Sequence, residues 1–171
     1  MLRLIGVVLC GLALAGCSPD FDWRVVSVGD GMVTGVLPAR PHTQTRTIDF
    51  DGQSLDLSLT MAEANDVLFV LGHAVLPETL QGDRPAARVL ATAVMVSFYR
   101  NLGVTPPEVL PALGARFIID GQGTEDPVRI EALVGLTGGA LVEAVVMGKR
   151  QMFERAPVQD FWTALKTGRL D

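Results

Sequence analysis

Histidine and cysteine are scarce in this chain, with two of each in 171 residues. Cys10 and Cys17 both lie in the apolar N-terminal stretch, so residues 18–171 hold no thiol at all. That removes a disulfide framework and a cysteine-ligated zinc site, and leaves stability to packing. Clusters of positive charge are missing too. The longest is Lys149-Arg150, and 14 basic residues stand against 19 acidic ones for a net charge of −5. A chain of this balance has no electrostatic footprint for nucleic acid, and charge alone would not dock it on an anionic surface. No Gly-x-Ser-x-Gly elbow, Ser-x-x-Lys pair or Lys-bearing phosphate loop occurs, since Gly138-Gly139 joins two alternating runs and feeds no helix. The sequence therefore singles out no catalytic residue, no cofactor-binding residue and no metal ligand set.

A long apolar run is also lacking. Leu4 to Cys17 is the longest, ended by Ser18-Pro19-Asp20. As a helix it would cover only about 20 Å, against a hydrocarbon core of about 30 Å. Arg3, the apolar stretch Leu4–Leu14 and the small residues Ala13, Ala15 and Gly16 have instead the three parts of an export signal.

Leu14-Ala15-Gly16-Cys17 resembles the lipobox of bacterial lipoproteins: a branched apolar residue, two small ones, then Cys. The resemblance implies cleavage before Cys17, acylation of its thiol with palmitate-like chains, and acylation of the new amino group. Each buried methylene contributes about 0.8 kcal/mol, so two chains hold a protein stably on a membrane. In that family Asp after the Cys favours inner-membrane retention. Ser18 stands there in this chain, which implies an outer membrane facing the periplasm. The expected organisation is a signal peptide over 1–16, a lipidated Cys and short tether over 17–22, and one globular domain over 23–171. That length suffices for a single core.

Along residues 23–171 the runs alternate. Residues 23–28 and 31–37 flank Gly29-Asp30-Gly31 and predict a hairpin. Pro38-Ala39-Arg40-Pro41 breaks the pattern. A Thr-rich strand over 44–50 and an alternating one over 54–63 flank Asp51-Gly52. Val67–Leu76 is apolar on both faces, which calls for cover on both sides. Asp83 as N-cap, Pro85 in the first turn and Gly103 at the end bound a helix over 84–102, whose apolar stripe includes Leu90, Val94 and Phe98. Strands follow at 113–119, 128–135 and 140–148. Pro157 opens a short helix with Val158, Phe161, Trp162 and Leu165 on one side.

This order predicts an α+β fold with a largely antiparallel sheet, one long helix and a short C-terminal one, extended to three α/β/α layers if both sheet faces are covered. The order resembles that of the PsbP-like α/β/α sandwich over most of 23–167. No motif accompanies it, so it implies layering and no function.

The remaining polar residues are weighed singly. His73 shares strand parity with Phe69 and Leu71, so it belongs to an apolar layer or its boundary. His42 follows Pro41 in a loop and is expected in solvent. Asp49-x-Asp51-Gly52-x-Ser54-x-Asp56 lacks calcium-loop spacing and the closing Glu, so an Asp-Gly hairpin with Asp56 in solvent is expected. Glu125-Asp126 reads as a solvated turn. Aromatic residues such as Trp23 and Phe161 are more often core or docking anchors than ligand-lining ones, and Phe161 is read as core, while Trp162 and Tyr99 are open between core and contact surface. Three function classes follow: a non-enzymatic accessory or interaction domain at the outer membrane, a carrier of a small apolar ligand or lipid, and an enzyme with a dispersed site. The expected partners are the membrane itself, through the anchor, and envelope proteins or lipids close to it. Nothing in the sequence fixes an oligomeric state.

Overall fold

The computed structural model describes residues 21–50, 53–122 and 126–170. The expected signal segment, Cys17, Asp51-Gly52 and Glu125 lie outside the described residues. The rest is mixed α+β and mostly antiparallel, with nine strands in two sheets and three helices.

Strands β1 (Arg24–Val28) and β2 (Val33–Leu37) form the expected hairpin. They are followed by β3 (His42–Phe50), β4 (Gln53–Ala64) and β5 (Val67–Val75). Helices α1 (Glu78–Gln81) and α2 (Arg84–Asn101) come next. Strands β6 (Arg116–Gly121), β7 (Val128–Thr137) and β8 (Ala140–Lys149) lead through a 3₁₀ turn (Arg150–Met152) to helix α3 (Val158–Ala164) and the short strand β9 (Lys166–Thr167). Six strands pair in the order β3-β4-β5-β8-β7-β6, while β1, β2 and β9 make a separate small sheet. The hairpin thus leaves the main sheet, because Pro38 and Pro41 interrupt the chain between β2 and β3.

Tight turns set the registers. Asn65 and Asp66 both have positive φ between Ala64 and Val67, as do Gly138 and Gly139 between Thr137 and Ala140. Two successive left-handed residues give the turn that matches strand twist in a two-residue hairpin.

Each face of the six-stranded sheet is covered by its own buried cluster. On one face Leu55, Leu57, Leu59 and Met61 of β4, Ile130, Ala132 and Val134 of β7, and Leu141 and Val145 of β8 meet Ala87, Leu90, Ala91, Met95 and Tyr99 of α2. The helix starts as expected, with the Asp83 side chain accepting from the Ala86 N–H at 3.0 Å. Val94 and Phe98 are only half-buried at the edge of this contact, and Tyr99 proves to be core, its ring stacked on Phe117 with centroids 6.1 Å apart. On the other face Val67, Phe69 and Leu71 of β5 and Val142, Ala144 and Val146 of β8 meet Val28, Val33 and Leu37 of the hairpin and Val158 and Phe161 of α3. Strand β5 is therefore covered on both sides, as its two-sided apolar run requires. Among the described residues no helix is long and apolar enough to cross a membrane.

Candidate functional site

Two glutamates are buried in the sheet, and alternation sends them to opposite faces. Glu131 on β7 shares its face with Leu133 and points to the α3 side. Glu143 on β8 lies between Leu141 and Val145 and points to the α2 side. No side-chain hydrogen bond or ion pair among the described residues engages Glu143. Its stem lies across Gly72 of β5, where a Cβ would come within 2.6 Å of Glu143 Cγ and 2.9 Å of a Leu59 methyl. Glycine is required there because the carboxyl chain occupies the place of a side chain. Burial pushes the Glu143 carboxyl up to about 7, since removal from water disfavours the charged form.

Glu131, by contrast, has two side-chain partners. Its Oε2 accepts from Arg116 Nη2 on the neighbouring strand β6 and from the Trp162 Nε1–H of α3 at 2.9 Å. The Arg116 guanidinium lies 4.7 Å from the centre of the Trp162 ring, a cation–π contact that closes the triangle. Phe161 sets the indole from behind, in edge contact at 5.1 Å, and is itself edge-on to Phe69 at 5.5 Å. The core thus orients Trp162, and Trp162 orients Glu131.

Beyond this triangle the α3 face opens into a cleft of about 940 Å³ between β7, the 3₁₀ turn and the start of α3. Arg129 and Glu131 line it from the sheet, Arg150, Phe153 and Glu154 from the connecting segment, and Asp160 from α3. Arg129 makes a bidentate pair with Asp120 at 2.7 and 2.8 Å, and its guanidinium lies 5.8 Å from the Phe153 ring centre. That hydrogen bonding holds the Asp120 carboxyl below its ordinary value and raises Arg129. Lys149 pairs with Asp126 at 2.7 Å, which raises the lysine. The sheet side of the cleft therefore carries charges neutralised within the protein, while the exposed rim presents Arg150, Glu154 and Asp160.

The residues weighed in the sequence do not converge on this cleft. His73 is half-buried on the α3 side as its parity predicts, under the β1–β2 turn, where a Cβ on Gly29 would meet its ring at 3.1 Å. Its Nδ1 is buried without a hydrogen-bond partner among the described residues. His42 is exposed, but it opens β3 opposite Met61 and does not sit in a loop. Asp56 is exposed and accepts from Thr47 Oγ1 at 2.8 Å, while Ser54 donates to Asp49. Among the described residues no group of three potential ligands gathers for a metal. Glu131 and Glu143 were not singled out by the sequence, although both are lone charges inside apolar runs, Ile130-Glu131-Ala132-Leu133 and Leu141-Val142-Glu143-Ala144-Val145.

None of the known family models matches the chain, and no curated protein or solved structure matches it either.

Proposed function

We propose that the protein is an outer-membrane-anchored periplasmic lipoprotein, and that its folded part is a non-enzymatic accessory domain recognising a protein partner through the cleft beside α3. Cys17 holds the anchor in this reading. The helix α2, the six-stranded sheet and the hairpin with α3 form its three layers. The observation that carries the recognition site is the cleft of about 940 Å³ with a charge-paired sheet side and a mixed-charge rim. Binding surfaces of this kind are held rigid by internal pairs and present unpaired polar groups at the edge. Acid–base catalysis needs groups of shifted pKa that converge on one point. Glu143, the carboxyl that burial raises, sits on the far side of the sheet from Glu131, so the two acids cannot share a substrate. A carrier would need the helix and sheet to part, whereas Ala87, Leu90, Ala91 and Met95 seal that interface.

The test places a photo-crosslinking residue at exposed Gln159 in the cleft, and at exposed Ala93 on α2, in intact envelopes. A discrete adduct from position 159, weakened by Arg150→Glu with Asp160→Lys and absent from position 93, is expected. No adduct from 159, or equal adducts from both, contradicts the cleft as the recognition site.

A further inference from the structure

The outer face of the small sheet is graded from apolar to polar. Val26 and Val28 of β1 face the core, so alternation turns Trp23, Val25 and Ser27 outward. Trp23 is 36% exposed and Val25 80%. Phe21 lies edge-on to Trp23 with centroids 6.0 Å apart, and Val36 stands opposite Val25 on the same face. Toward the hairpin turn the face becomes polar: Ser27 is opposite Thr34, and Thr34 is opposite Lys166 of β9. Asp22 and Arg24, which flank Trp23, neutralise each other at 2.6 Å. The apolar end thus carries little net charge, and the far end carries a cation.

The apolar end is also the end nearest Cys17 along the chain. Four residues from Cys17 to Phe21 span at most about 14 Å, and six to Trp23 about 21 Å. An acyl chain fixed at Cys17 would hold this edge at the membrane surface whatever path the tether takes. Indole rings favour the boundary between headgroups and hydrocarbon, with an apolar body and a hydrogen-bonding tip.

We infer that the face formed by Phe21, Trp23, Val25 and Val36 seats on a phospholipid bilayer, with Lys166 toward the headgroup phosphates. The inference rests on the lipid-anchor reading and adds to it an orientation: the hairpin lies on the membrane, and the domain is not a freely swivelling body on a string. Apolar contact is the main attraction, since the excess of acidic over basic residues opposes docking by charge on anionic lipid. The cleft beside α3 remains available to a partner.

The test uses the full chain, purified from envelopes and reconstituted in phosphatidylethanolamine–phosphatidylglycerol vesicles with bromine on the upper acyl chain. The emission of Trp23 is read as the difference between the wild-type chain and Trp23→Phe, which retains Trp162. Intact mass is measured on the same sample. An acylated protein whose Trp23 component shifts to shorter wavelength and loses intensity to bromine supports the inference. Val25→Asp, at an exposed position, should reduce that loss while leaving the melting temperature unchanged. An acylated protein whose Trp23 component is not quenched overturns the orientation and leaves the anchor standing. A crosslink from position 25 to an envelope protein, without quenching, assigns the face to that protein and overturns it as well. A chain without acyl mass removes the anchor and the inference together.

Discussion

A carboxyl placed at Glu143 makes the stability of this protein depend on pH. Its folded-state value, pushed up to about 7, lies above the ordinary 4.5 of an exposed Glu. Between those values the folded chain keeps a proton that the unfolded chain has lost. The contribution of Glu143 to stability is therefore full below pH 4.5, falls as pH rises through about 7, and is absent above it. The gap corresponds to about 3 kcal/mol, to order of magnitude. Glu143→Gln imitates the neutral form, so it should raise the melting temperature at pH 8, change little at pH 5, and flatten the slope between. A slope equal to wild type in calorimetric scans would assign it to other groups. The position was legible in the sequence only as a lone charge within Leu141–Val145. Neither parity nor composition tells whether such a residue meets a partner, because the partner comes from another strand or from a helix distant in sequence. Glu131 carries the same local signal and has the opposite outcome, since Arg116 and Trp162 reach it across 15 and 31 residues.

At the scale of elements, periodicity located almost every strand and the main helix, and missed what depends on pairing partners. The two-sided apolar run of β5 required double cover, and two clusters supply it. The run at 113–119 predicted a strand, but pairing begins only at Arg116. Gly114 uses its N–H to bond Val134 O at 2.7 Å, outside the ladder. The departure of the β1–β2 hairpin from the main sheet could not be read either, because alternation fixes a face and not a neighbour. The helix stripe was legible in direction but not in depth. Leu90 is 1% exposed, whereas Phe98 stands at the margin of the contact. Leu90→Ala should accordingly cost about 2–5 kcal/mol, and Phe98→Ala about 1–2 kcal/mol despite its larger side chain. Urea unfolding of the two variants orders them. A larger loss for Phe98→Ala would mean that its ring, 6.4 Å from Phe117, anchors the helix end.

For the whole molecule, the sheet separates two environments. The α2 side is closed by a helix and holds the carboxyl with the raised pKa. The opposite side carries the small sheet, α3, the cleft and the exposed apolar edge. The proposed partner and the proposed membrane contact therefore share one side of the main sheet, on different elements. This arrangement has functional meaning only if the chain is anchored close to Phe21, and the proposed anchor rests on the resemblance of Leu14-Ala15-Gly16-Cys17 to a lipobox. The most direct test is the intact mass and N-terminal peptide of the protein isolated from envelopes, compared with Cys17→Ala. The account predicts a wild-type chain that begins at Cys17 and carries acyl mass there, and a variant that is neither acylated nor cut at that bond. A wild-type chain with an unmodified N-terminus, or a variant processed and labelled like wild type, would contradict it.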